Sequence, residues 1–431
     1  MLTEHLLPLV SVKKPLSVCC AYSGGLDSTV LLHALNAFAL QHKATNLLDV
    51  TALHVNHGLS PNADKWESHC IEQCSLLGLP IRSVEVSVSR EDASLEDCAR
   101  KARYEAFNSS DADYVFLAHH QGDQSETLLM NLLRGAGTLG AASIPSRRGR
   151  VQRPFLSISK DELLTYAQKH KLHWIEDESN CSDAHSRNYL RQNVLPIIEK
   201  RFAGGVKNLA QAAAHFAETQ LLLDDLAIED GGELVPLAVE KLIELERTKG
   251  MPRAKNLLAF NLRRQGVRFP SKIWFDELFR QLRDSREDAQ LNLEAGVHSV
   301  RRYRGCIYVS KNIAEAHLES VPWDGSSIAL WGGRPIECKI VGNSGLNSRA
   351  FVGKLEFRRR QGGEVMLFNK QHRPVKDLLR EAGIPPWQRS KLPILFHENE
   401  IVWVAGVGIA ENYRCKAKED GISLEFAWPN W

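Results

Sequence analysis

The sequence predicts an α/β protein: a doubly wound parallel sheet in the first half of the chain, then a mostly helical middle domain and a small α+β C-terminal domain. The sheet is predicted by apolar, strand-prone segments that alternate with helix-length segments. A glycine-rich turn between the first strand and the first helix supports the same topology. We expect domains at 1–217, 218–315 and 345–431.

In the sheet region, apolar runs predict the strands, and apolar residues near helical period predict the helices. The predicted strands are Leu16–Tyr22, Asp49–His57, Ile81–Val88 and Asp113–Ala118, and the predicted helices are one from about Thr29, then Ala63–Leu77, Ser94–Phe107, Asp123–Leu133 and Asp161–Lys171, with a long helical region over Leu195–Asp230. Ligands of such a sheet bind at the carboxyl ends of its strands.

The second half of the chain mixes short helices and strands. A passage rich in Trp, Gly and Ser, Ser320–Arg334, has the composition of a linker. The predicted helices are Leu237–Glu246, Pro252–Gln265, Ile273–Arg283 and Val375–Glu381, and the predicted strands are Leu291–Leu293, Arg302–Val309, Leu355–Arg358, Ile401–Val407 and Ile422–Trp428.

Composition excludes several classes of protein. The chain has 431 residues, of which 43% are hydrophobic, so two to four domains with real cores are expected. A formal net charge of +2 means that any affinity for nucleic acid must come from local patches. No stretch could span a bilayer, no signal peptide is recognisable, and nine cysteines without a Cys-x-x-Cys pair indicate reduced thiols. These features predict a cytoplasmic protein without a membrane partner.

The turn between the first strand and helix is Ser23-Gly24-Gly25-Leu26-Asp27-Ser28. Backbone N–H groups and a helix dipole converge on an anion at such a turn, and paired glycines allow close approach. The loop is too short for a Gly-x4-Gly-Lys-Ser/Thr motif and has no lysine, which disfavours γ-phosphoryl transfer. It resembles the SGGxDS loop of the PP-loop ATP pyrophosphatases, which implies binding of ATP and activation of a carbonyl oxygen by adenylation.

Ionisable residues follow the predicted strands. His120, Asp123 and Glu126 recur every three residues, which puts both carboxylates on one side of a helix start. They either stabilise the helix dipole or face a cationic substrate and accept its proton. Arg100 and Arg103 share a helix face that either aims at phosphate or is solvated.

Another group, His54, Asn56 and His57, ends the second predicted strand. It has no further ligand at zinc-like spacing, so we expect it to border a nucleotide pocket.

Basic patches predict RNA contacts. One patch follows the acidic helix, and a second lies near the first domain boundary. The third is the segment from Phe351 to Lys391, which contains ten Lys and Arg residues but only four Asp and Glu residues. Trp387, after two prolines, either stacks on a base or packs in a core. The candidate RNA-contacting residues are Arg147, Arg148, Arg150 and Arg153, then Arg187 and Arg191, then Arg358, Arg359, Arg360, Lys370, Arg373 and Lys376.

Several motifs together resemble the bacterial tRNA(Ile)-lysidine synthetase family over about residues 15–410. This chain departs from the family at Ser60, where a basic residue is common, and after Gly140, which puts substrate contacts in doubt more than activity. The motifs are SGGLDS (23–28), HVNHGL (54–59), ARKARY (99–104), AHHQGDQSET (118–127), LLRGAG (132–137), RPFL (153–156), EDESN (176–180), RNYLR (187–191) and REAGIPPWQRSKLPIL (380–395).

The resemblance implies a ligase. With ATP, it would adenylate the C2 carbonyl oxygen of the wobble cytidine in an isoleucine tRNA with a CAU anticodon. The amine of free lysine would then displace AMP to form lysidine, and codon reading would switch from AUG to AUA. The implied cofactors are ATP and Mg²⁺, and the oligomeric state stays open, with a homodimer as one option.

The resemblance also implies residue roles. Asp123 and Glu126 would bind lysine and remove its proton, without a division of the two tasks, and Asp27 would contact Mg²⁺. His119 or His120 would contact cytidine or phosphate. The implied catalytic residues are Asp27, Arg103, Asp123 and Glu126; the ATP-binding residues are Ser23, Gly24, Gly25, Leu26, Asp27, Ser28, His54 and Asn56; the tRNA-binding residues are Arg147, Arg148, Arg187, Arg191, Arg358, Arg360 and Arg373.

The main alternative is a PP-loop tRNA sulfurtransferase, and the missing Cys-x-x-Cys pair argues against it. An amidotransferase-linked ligase would not need a basic C-terminal domain. A nucleotide-binding RNA-binding module without catalysis would not need all three acids Asp27, Asp123 and Glu126.

Overall fold

The computed structural model describes residues 15–42, 48–58, 60–86, 95–176, 186–285, 291–311, 320–325, 328–342, 344–347, 353–415 and 419–426. The chain divides into two compact units, Met1–Leu223 and Asp224–Trp431. The three predicted domain ranges stay a prediction. Among the helices so described, none combines the length and apolarity needed to cross a bilayer.

The first unit contains a six-stranded sheet with neighbouring helices. Its strand order is β3-β2-β1-β4-β6-β5, and all neighbours are parallel except β5 and β6. The elements are β1 (Leu16–Ala21), α1 (Leu26–Gln41), β2 (Leu48–Asn56), α2 (Ala63–Leu77), β3 (Ile81–Glu85), α3 (Leu95–Asn108), β4 (Tyr114–Phe116), α4 (Gln121–Leu133), α5 (Thr138–Ala141), β5 (Arg147–Arg148), β6 (Val151–Gln152), α6 (Lys160–Lys169), α7 (Ser186–Tyr189), a π-helical turn (Leu190–Val194), α8 (Leu195–Arg201) and α9 (Gly205–Glu229).

Alternate side chains of β1 are buried on opposite faces of this sheet. Val18 and Cys20 pack with residues of α1, such as Leu31, whereas Cys19 packs with Phe107 of α3. Because successive strand residues point to opposite faces, this burial requires helices on both sides. The predicted doubly wound parallel sheet is confirmed.

Two helices begin earlier than predicted. Helix α1 starts at Leu26, directly after Gly25, and α4 starts at Gln121. In α4 the side chain of His120 accepts a hydrogen bond from Gly122 N, while Asp123 accepts one from His120 N. This capping box makes His120 the N-cap of α4 and gives Asp123 the helix-stabilising role that the sequence left open.

The second unit starts with a helical part. The β7-β10-β9-β8 sheet is antiparallel and packs with three helices around residues such as Leu257, Leu278 and Ile307. The elements are β7 (Leu237–Ala238), α10 (Val239–Lys249), α11 (Met251–Arg264), α12 (Lys272–Asp284), β8 (Asn292–Ala295), β9 (His298–Tyr303) and β10 (Cys306–Lys311).

The C-terminal part contains a five-stranded sheet (β11-β15-β18-β19-β20), a four-stranded sheet (β12-β13-β21-β14) and the β16–β17 hairpin. It confirms the predicted small α+β domain. The elements are β11 (Ser320–Trp323), β12 (Ile328–Trp331), β13 (Arg334–Gly342), β14 (Leu346–Asn347), β15 (Leu355–Arg359), β16 (Val365–Phe368), β17 (Gln371–Pro374), α13 (Val375–Glu381), α14 (Pro386–Arg389), β18 (Pro393–His397), β19 (Glu400–Val404), β20 (Gly408–Ile409), a 3₁₀ turn (Glu411–Tyr413) and β21 (Asp420–Phe426).

Two predictions for the second half are wrong. Ser320–Arg334 is not a linker, because β11 pairs with β15 and β12 pairs with β13. Its tryptophans belong to the core, where the ring centroid of Trp323 lies 5.5 Å from that of Phe357. The predicted strand Arg302–Val309 is a hairpin, because Arg304 (φ 49°) and Gly305 (φ 71°) take left-handed conformations that turn the chain.

The predicted basic loop Arg147–Arg153 is only partly a surface patch. Arg147 and Arg148 are exposed on β5. Arg153 is buried and donates to Pro145 O (2.9 Å) and Tyr104 Oη (3.0 Å), so its prediction as a surface RNA contact is wrong. Arg150 donates to Ser110 O and Ala112 O (both 2.9 Å) and to carbonyl groups at the end of α3. It thus supplies hydrogen bonds to carbonyl groups that have no partner within the helix.

Substitution of Arg150 tests this structural role. We expect Arg150→Ala to lower the free energy of unfolding of the first unit by about 2 kcal/mol, because charged hydrogen bonds to several carbonyl groups are lost. Urea unfolding followed by circular dichroism measures the change. Arg147→Ala, at an exposed position of the same hairpin, is the control and should change it by less than about 0.5 kcal/mol. Equal effects of the two variants would contradict the assignment.

Candidate active site

The glycine-rich loop leaves β1 and enters α1 in a geometry that depends on Gly24. Gly24 has φ +83°, and a Cβ atom there would lie 3.0 Å from Cys70 Sγ and 3.1 Å from Ile175 Cδ1. Its carbonyl accepts a hydrogen bond from Ile175 N (2.9 Å). Ser28 Oγ donates to Gly25 O (3.0 Å) and accepts from Ser23 N (3.2 Å), which closes the turn at the amino end of α1.

Asp27 lies in the first turn of α1, and its side chain is 35% exposed. Burial raises the pKa of Asp27; His120, Lys160 and Arg191 counteract that rise, whereas Asp123 adds to it. Its Oδ1 atom is inaccessible to solvent and has no hydrogen-bond partner among the described residues. A buried carboxylate oxygen without a hydrogen-bond partner is suited to bind a cation. Mg²⁺ is such a cation, and it commonly binds one carboxylate together with phosphate oxygens.

Asp123 and Glu126 lie one helical turn apart on α4, and both are buried, Glu126 to 1% exposure. Two arginines neutralise them. Arg187 donates from Nη2 to Asp123 Oδ1 (2.8 Å) and from Nε to Glu126 Oε2 (2.7 Å). Arg191 donates from Nη2 to Asp123 Oδ1 (3.2 Å) and from Nε to Glu126 Oε1 (2.5 Å). We call these four residues the charge quartet.

The quartet lowers the pKa of Asp123 and raises that of Arg187. Burial alone would raise the pKa of Asp123, but His120, Arg187 and His119, with the His120 N–H group, outweigh it and lower that pKa. Burial likewise opposes the charged form of Arg187, and Asp123 and Glu126 outweigh it, so the pKa of Arg187 rises. The cluster therefore matches two carboxyl side chains with two guanidinium groups.

Arg187 and Arg191 do not form the separate basic patch near the domain boundary that the sequence predicted. Arg187 belongs to α7 and Arg191 to the π-helical turn that follows, and a π-helical turn often marks a functional site. The arginines are four residues apart and the acids three apart, so each pair lies on one helix face, and the two faces meet in the ion pairs. The match of these two spacings is the signal that the sequence offers for the cluster.

His120 links the loop to the quartet. Its Nε2 atom lies 3.8 Å from Asp27 Oδ2 and 3.8 Å from Asp123 Oδ2. The glycine-rich loop and the acid pair thus belong to one site.

The predicted nucleotide-pocket residues contact other protein groups. His54 Nδ1 donates to Tyr22 O (2.9 Å), and Asn56 donates to Glu67 (3.0 Å) and accepts from Gly58 N (2.9 Å). Arg103 is exposed, and its Nη2 atom lies 3.3 Å from His57 Nε2. Burial, together with Arg103 and His54, lowers the pKa of His57 to about 4, so this imidazole is neutral.

Sequence reasoning underrated two residues. His119 has an unpartnered buried Nδ1 atom, and burial lowers its pKa to about 4, so it offers a neutral imidazole beside Asp123. Lys160 acts electrostatically on Asp27, because Gln121 N donates to Ile158 O and joins that segment to the start of α4. Lys160 sits inside the Ser159–Glu162 capping box, and nothing in that pattern pointed to the site.

The candidate RNA contacts of the C-terminal part are engaged with carboxylates. Arg358 pairs with Glu356, Arg360 with Glu364 (3.4 Å), and Arg373 with Glu381 (3.0 Å). The charge count already includes these glutamates, so the net charge stands, but an RNA phosphate would have to replace a carboxylate at each of these arginines. Trp387 packs against Tyr303 and Tyr308, with centroid distances of 6.1 and 5.9 Å, so the packing alternative holds in the described structure.

In the described part of the chain, no group of three or more His, Cys, Asp and Glu side chains could hold a metal ion by itself. Any metal at Asp27 would therefore need ligands from a bound molecule or water.

The two loop glycines provide a matched test. Gly24→Ala should abolish ATP binding, because the new Cβ atom meets Cys70 and Ile175 and the backbone has a positive φ. Gly25→Ala should bind ATP within about threefold of the parent protein, because its nearest new contact is 3.6 Å away and its φ is −75°. Calorimetric titration with ATP measures both. Loss of binding in Gly25→Ala alone would contradict this loop geometry.

The chain matches three family models. Residues 2–198 match a model described as a PP-loop domain, residues 247–308 match the TilS substrate binding domain, and residues 355–427 match the TilS substrate C-terminal domain. The solved structure titled "Crystal structure of TILS C-terminal domain" aligns with 26% of this chain and 99% of its own, at 21% identity and a TM-score of 0.21.

Curated relatives span nearly the whole chain. The tRNA(Ile)-lysidine synthase of Nitrosomonas europaea is 36% identical over 95% of this chain and 91% of the relative. The enzyme of the same name from Aromatoleum aromaticum is 36% identical over 94% and 96%, and that from Coxiella burnetii is 35% identical over 95% and 93%. At this identity and coverage, the chain belongs to the tRNA(Ile)-lysidine synthase family.

Proposed function

We propose that this protein ligates lysine to C2 of the wobble cytidine of the CAU-anticodon isoleucine tRNA, with ATP cleaved to AMP and pyrophosphate. One observation carries the proposal. His120 Nε2 lies 3.8 Å from a carboxylate oxygen of both Asp27 and Asp123, so an adenylating loop adjoins a buried acid pair suited to an amine. A site that both activates a carbonyl and binds an ammonium group fits amine ligation.

In the first step, the C2 carbonyl oxygen of cytidine attacks the α-phosphorus of ATP, and the bond to pyrophosphate breaks. The N–H groups of residues 23–28 and the amino end of α1 would hold the phosphates. Mg²⁺, when bound at Asp27, would supply positive charge beside them. Lys160 and Arg103 are the further cations that we assign to phosphate or to the adenylated base.

In the second step, the lysine amine attacks C2, the bond from C2 to the AMP oxygen breaks, and the amine loses a proton. Asp123 and Glu126 would bind the ammonium group and accept that proton. Both acids are already matched by two guanidinium groups, so a lysine ammonium adds an uncompensated charge to the quartet. We infer that Arg187 or Arg191 moves away when lysine binds, toward a phosphate of AMP or RNA.

The sulfurtransferase alternative needs a reactive thiolate near the loop. Burial raises the pKa of Cys70 to about 12 and that of Cys74 to about 11, so these thiols stay protonated at neutral pH. This observation supports an amine, and not sulfur, as the nucleophile.

We further propose that the tRNA contacts both units, that the protein acts in the cytoplasm, and that Arg147, Arg148, Arg358, Arg360 and Arg373 contact RNA phosphates. Arg147 and Arg148 are exposed, whereas the other three are paired with carboxylates that RNA would have to replace.

Labelled lysine tests the function directly. The protein, incubated with radiolabelled lysine, ATP, Mg²⁺ and the isoleucine tRNA, should transfer label to RNA and release one AMP for each lysine. Asp123→Asn should reduce this transfer at least 10³-fold and leave tRNA affinity nearly unchanged, because it removes a carboxylate without a change of shape. Asp161→Asn, at an exposed position of α6, is the control. RNA-dependent ATP hydrolysis without lysine transfer would refute the proposal, and normal transfer by Asp123→Asn would remove that residue from the mechanism.

Salt dependence tests the RNA contacts. Arg147→Ala with Arg148→Ala should weaken tRNA binding and reduce the slope of log K against log [salt] by about 1 to 2, as expected for lost phosphate contacts. Arg358→Ala with Arg360→Ala should have a smaller effect, because both side chains start in ion pairs. Fluorescence anisotropy with labelled tRNA at several salt concentrations measures the slopes. An unchanged slope in the first variant would show that Arg147 and Arg148 do not contact RNA phosphates.

A further inference from the structure

A hairpin of the middle domain meets a helical corner of the C-terminal domain within the second unit. The hairpin is β9–β10, and the corner consists of α13 and α14. The residues that meet there match two different family models, 247–308 and 355–427. None of them belongs to the catalytic site described above, so their contacts need a separate explanation.

The tip of the hairpin contacts the end of α13. Arg304 sits in the left-handed turn, and its Nη2 atom donates to Arg380 O (2.5 Å). Arg380 lies in the last turn of α13, where carbonyl groups lack helical partners and a cation is favourable. Gly383, with φ +77°, leaves room for this side chain, since a Cβ atom there would lie 3.3 Å from Arg304 Nη1.

The side of the hairpin contacts α14. The ring of Trp387 lies edge-on to Tyr303 and Tyr308, at centroid distances of 6.1 and 5.9 Å. The guanidinium carbon of Arg301 lies 5.1 Å from the centroid of the Trp387 ring. Arg389 Nη2 donates to Tyr303 Oη (3.1 Å). Aromatic, cation–π and hydrogen-bonding contacts thus hold one surface together. We call this surface the joint.

The joint resists both sliding and rotation of the two domains. The Arg304 contact holds the tip of the hairpin, and the Trp387 contact holds its flank, so two separated points define the orientation. When two binding domains are held in one orientation and the first has bound a rigid ligand, the second binds it at a high effective concentration. Two loosely connected domains instead lose conformational entropy when both bind the ligand.

We propose that Tyr303, Arg304 and Trp387 are positioning residues that hold the middle and C-terminal domains as one body, so that both engage a single structured RNA. The inference rests on the proposed function, because tRNA is the rigid ligand in question. The joint then contributes to tRNA affinity although its residues need not touch the RNA.

Full-length variants test the joint. Trp387→Ala and, separately, Arg304→Ala should raise the KM for tRNA about tenfold with kcat unchanged, and small-angle scattering should show a larger radius of gyration. Trp387→Phe and Arg304→Lys should restore part of the loss, because they keep the ring or the charge. Arg280→Ala removes an exposed ion pair with Glu277 on α12 and is the control, with no expected change.

The outcomes separate the joint from the proposed function. Scattering that shows an opened joint, with an unchanged KM for tRNA, would overturn the inference. A tenfold rise of KM without a change in scattering would overturn it too, because the residues would then act by direct contact. If the parent protein transfers no lysine to tRNA, the proposed function is wrong, and the inference that the joint serves tRNA binding is then wrong as well. If Trp387→Ala does not fold, Arg304→Ala, with its exposed side chain, decides the question.

Discussion

The candidate site depends on the balance of charge among Asp123, Glu126, Arg187 and Arg191. A carboxyl group that is 1% exposed, such as that of Glu126, needs hydrogen-bonding cations in place of the water that it has lost. The two guanidinium groups are these cations, and they also join α7 and the following π-helical turn to the start of α4. Removal of one partner would leave a buried charge, whereas exchange of a guanidinium for an ammonium would preserve the balance. The ammonium group of a lysine substrate is therefore compatible with this cluster if it replaces one guanidinium group, and not if it is added to both.

The sheet order explains why these acids lie beside the glycine-rich loop. Strand β1 pairs with β2 on one side and with β4 on the other, so the direction of winding reverses at β1. Ligands of doubly wound sheets bind at such a point, where the loops after two adjacent strands separate. The helix that follows β1 carries Asp27 in its first turn, and the helix that follows β4 has His120 as its N-cap and Asp123 in its first turn. The 3.8 Å distance from His120 to Asp27 follows from this adjacency, whereas the equal distance from His120 to Asp123 is set within the first turn of α4.

Local patterns predicted local structure well. The helices Ala63–Leu77 and Val375–Glu381 have the predicted bounds, because hydrophobic period and terminal residues determine them. The glycine-rich turn and the position of Asp123 at a helix start were predicted for the same reason, since each belongs to a short motif at a strand end. Partners distant in sequence were not predicted. Arg187 lies 61 residues from Glu126, and Arg150 lies some forty residues from the carbonyl groups that it contacts. The tryptophans of 320–334 were assigned to a linker because composition alone does not show which strand they pair with.

In the mechanism that we propose, the loop and the acid pair act in sequence on one carbon atom, first by adenylation of its oxygen and then by replacement of that oxygen with nitrogen. Oxygen-18 placed at the C2 carbonyl of the wobble cytidine follows this exchange directly. Mass spectrometry of the products should find the heavy oxygen in AMP, one atom for each lysine joined to RNA. Heavy oxygen retained in the modified RNA, with unlabelled AMP, would contradict the account.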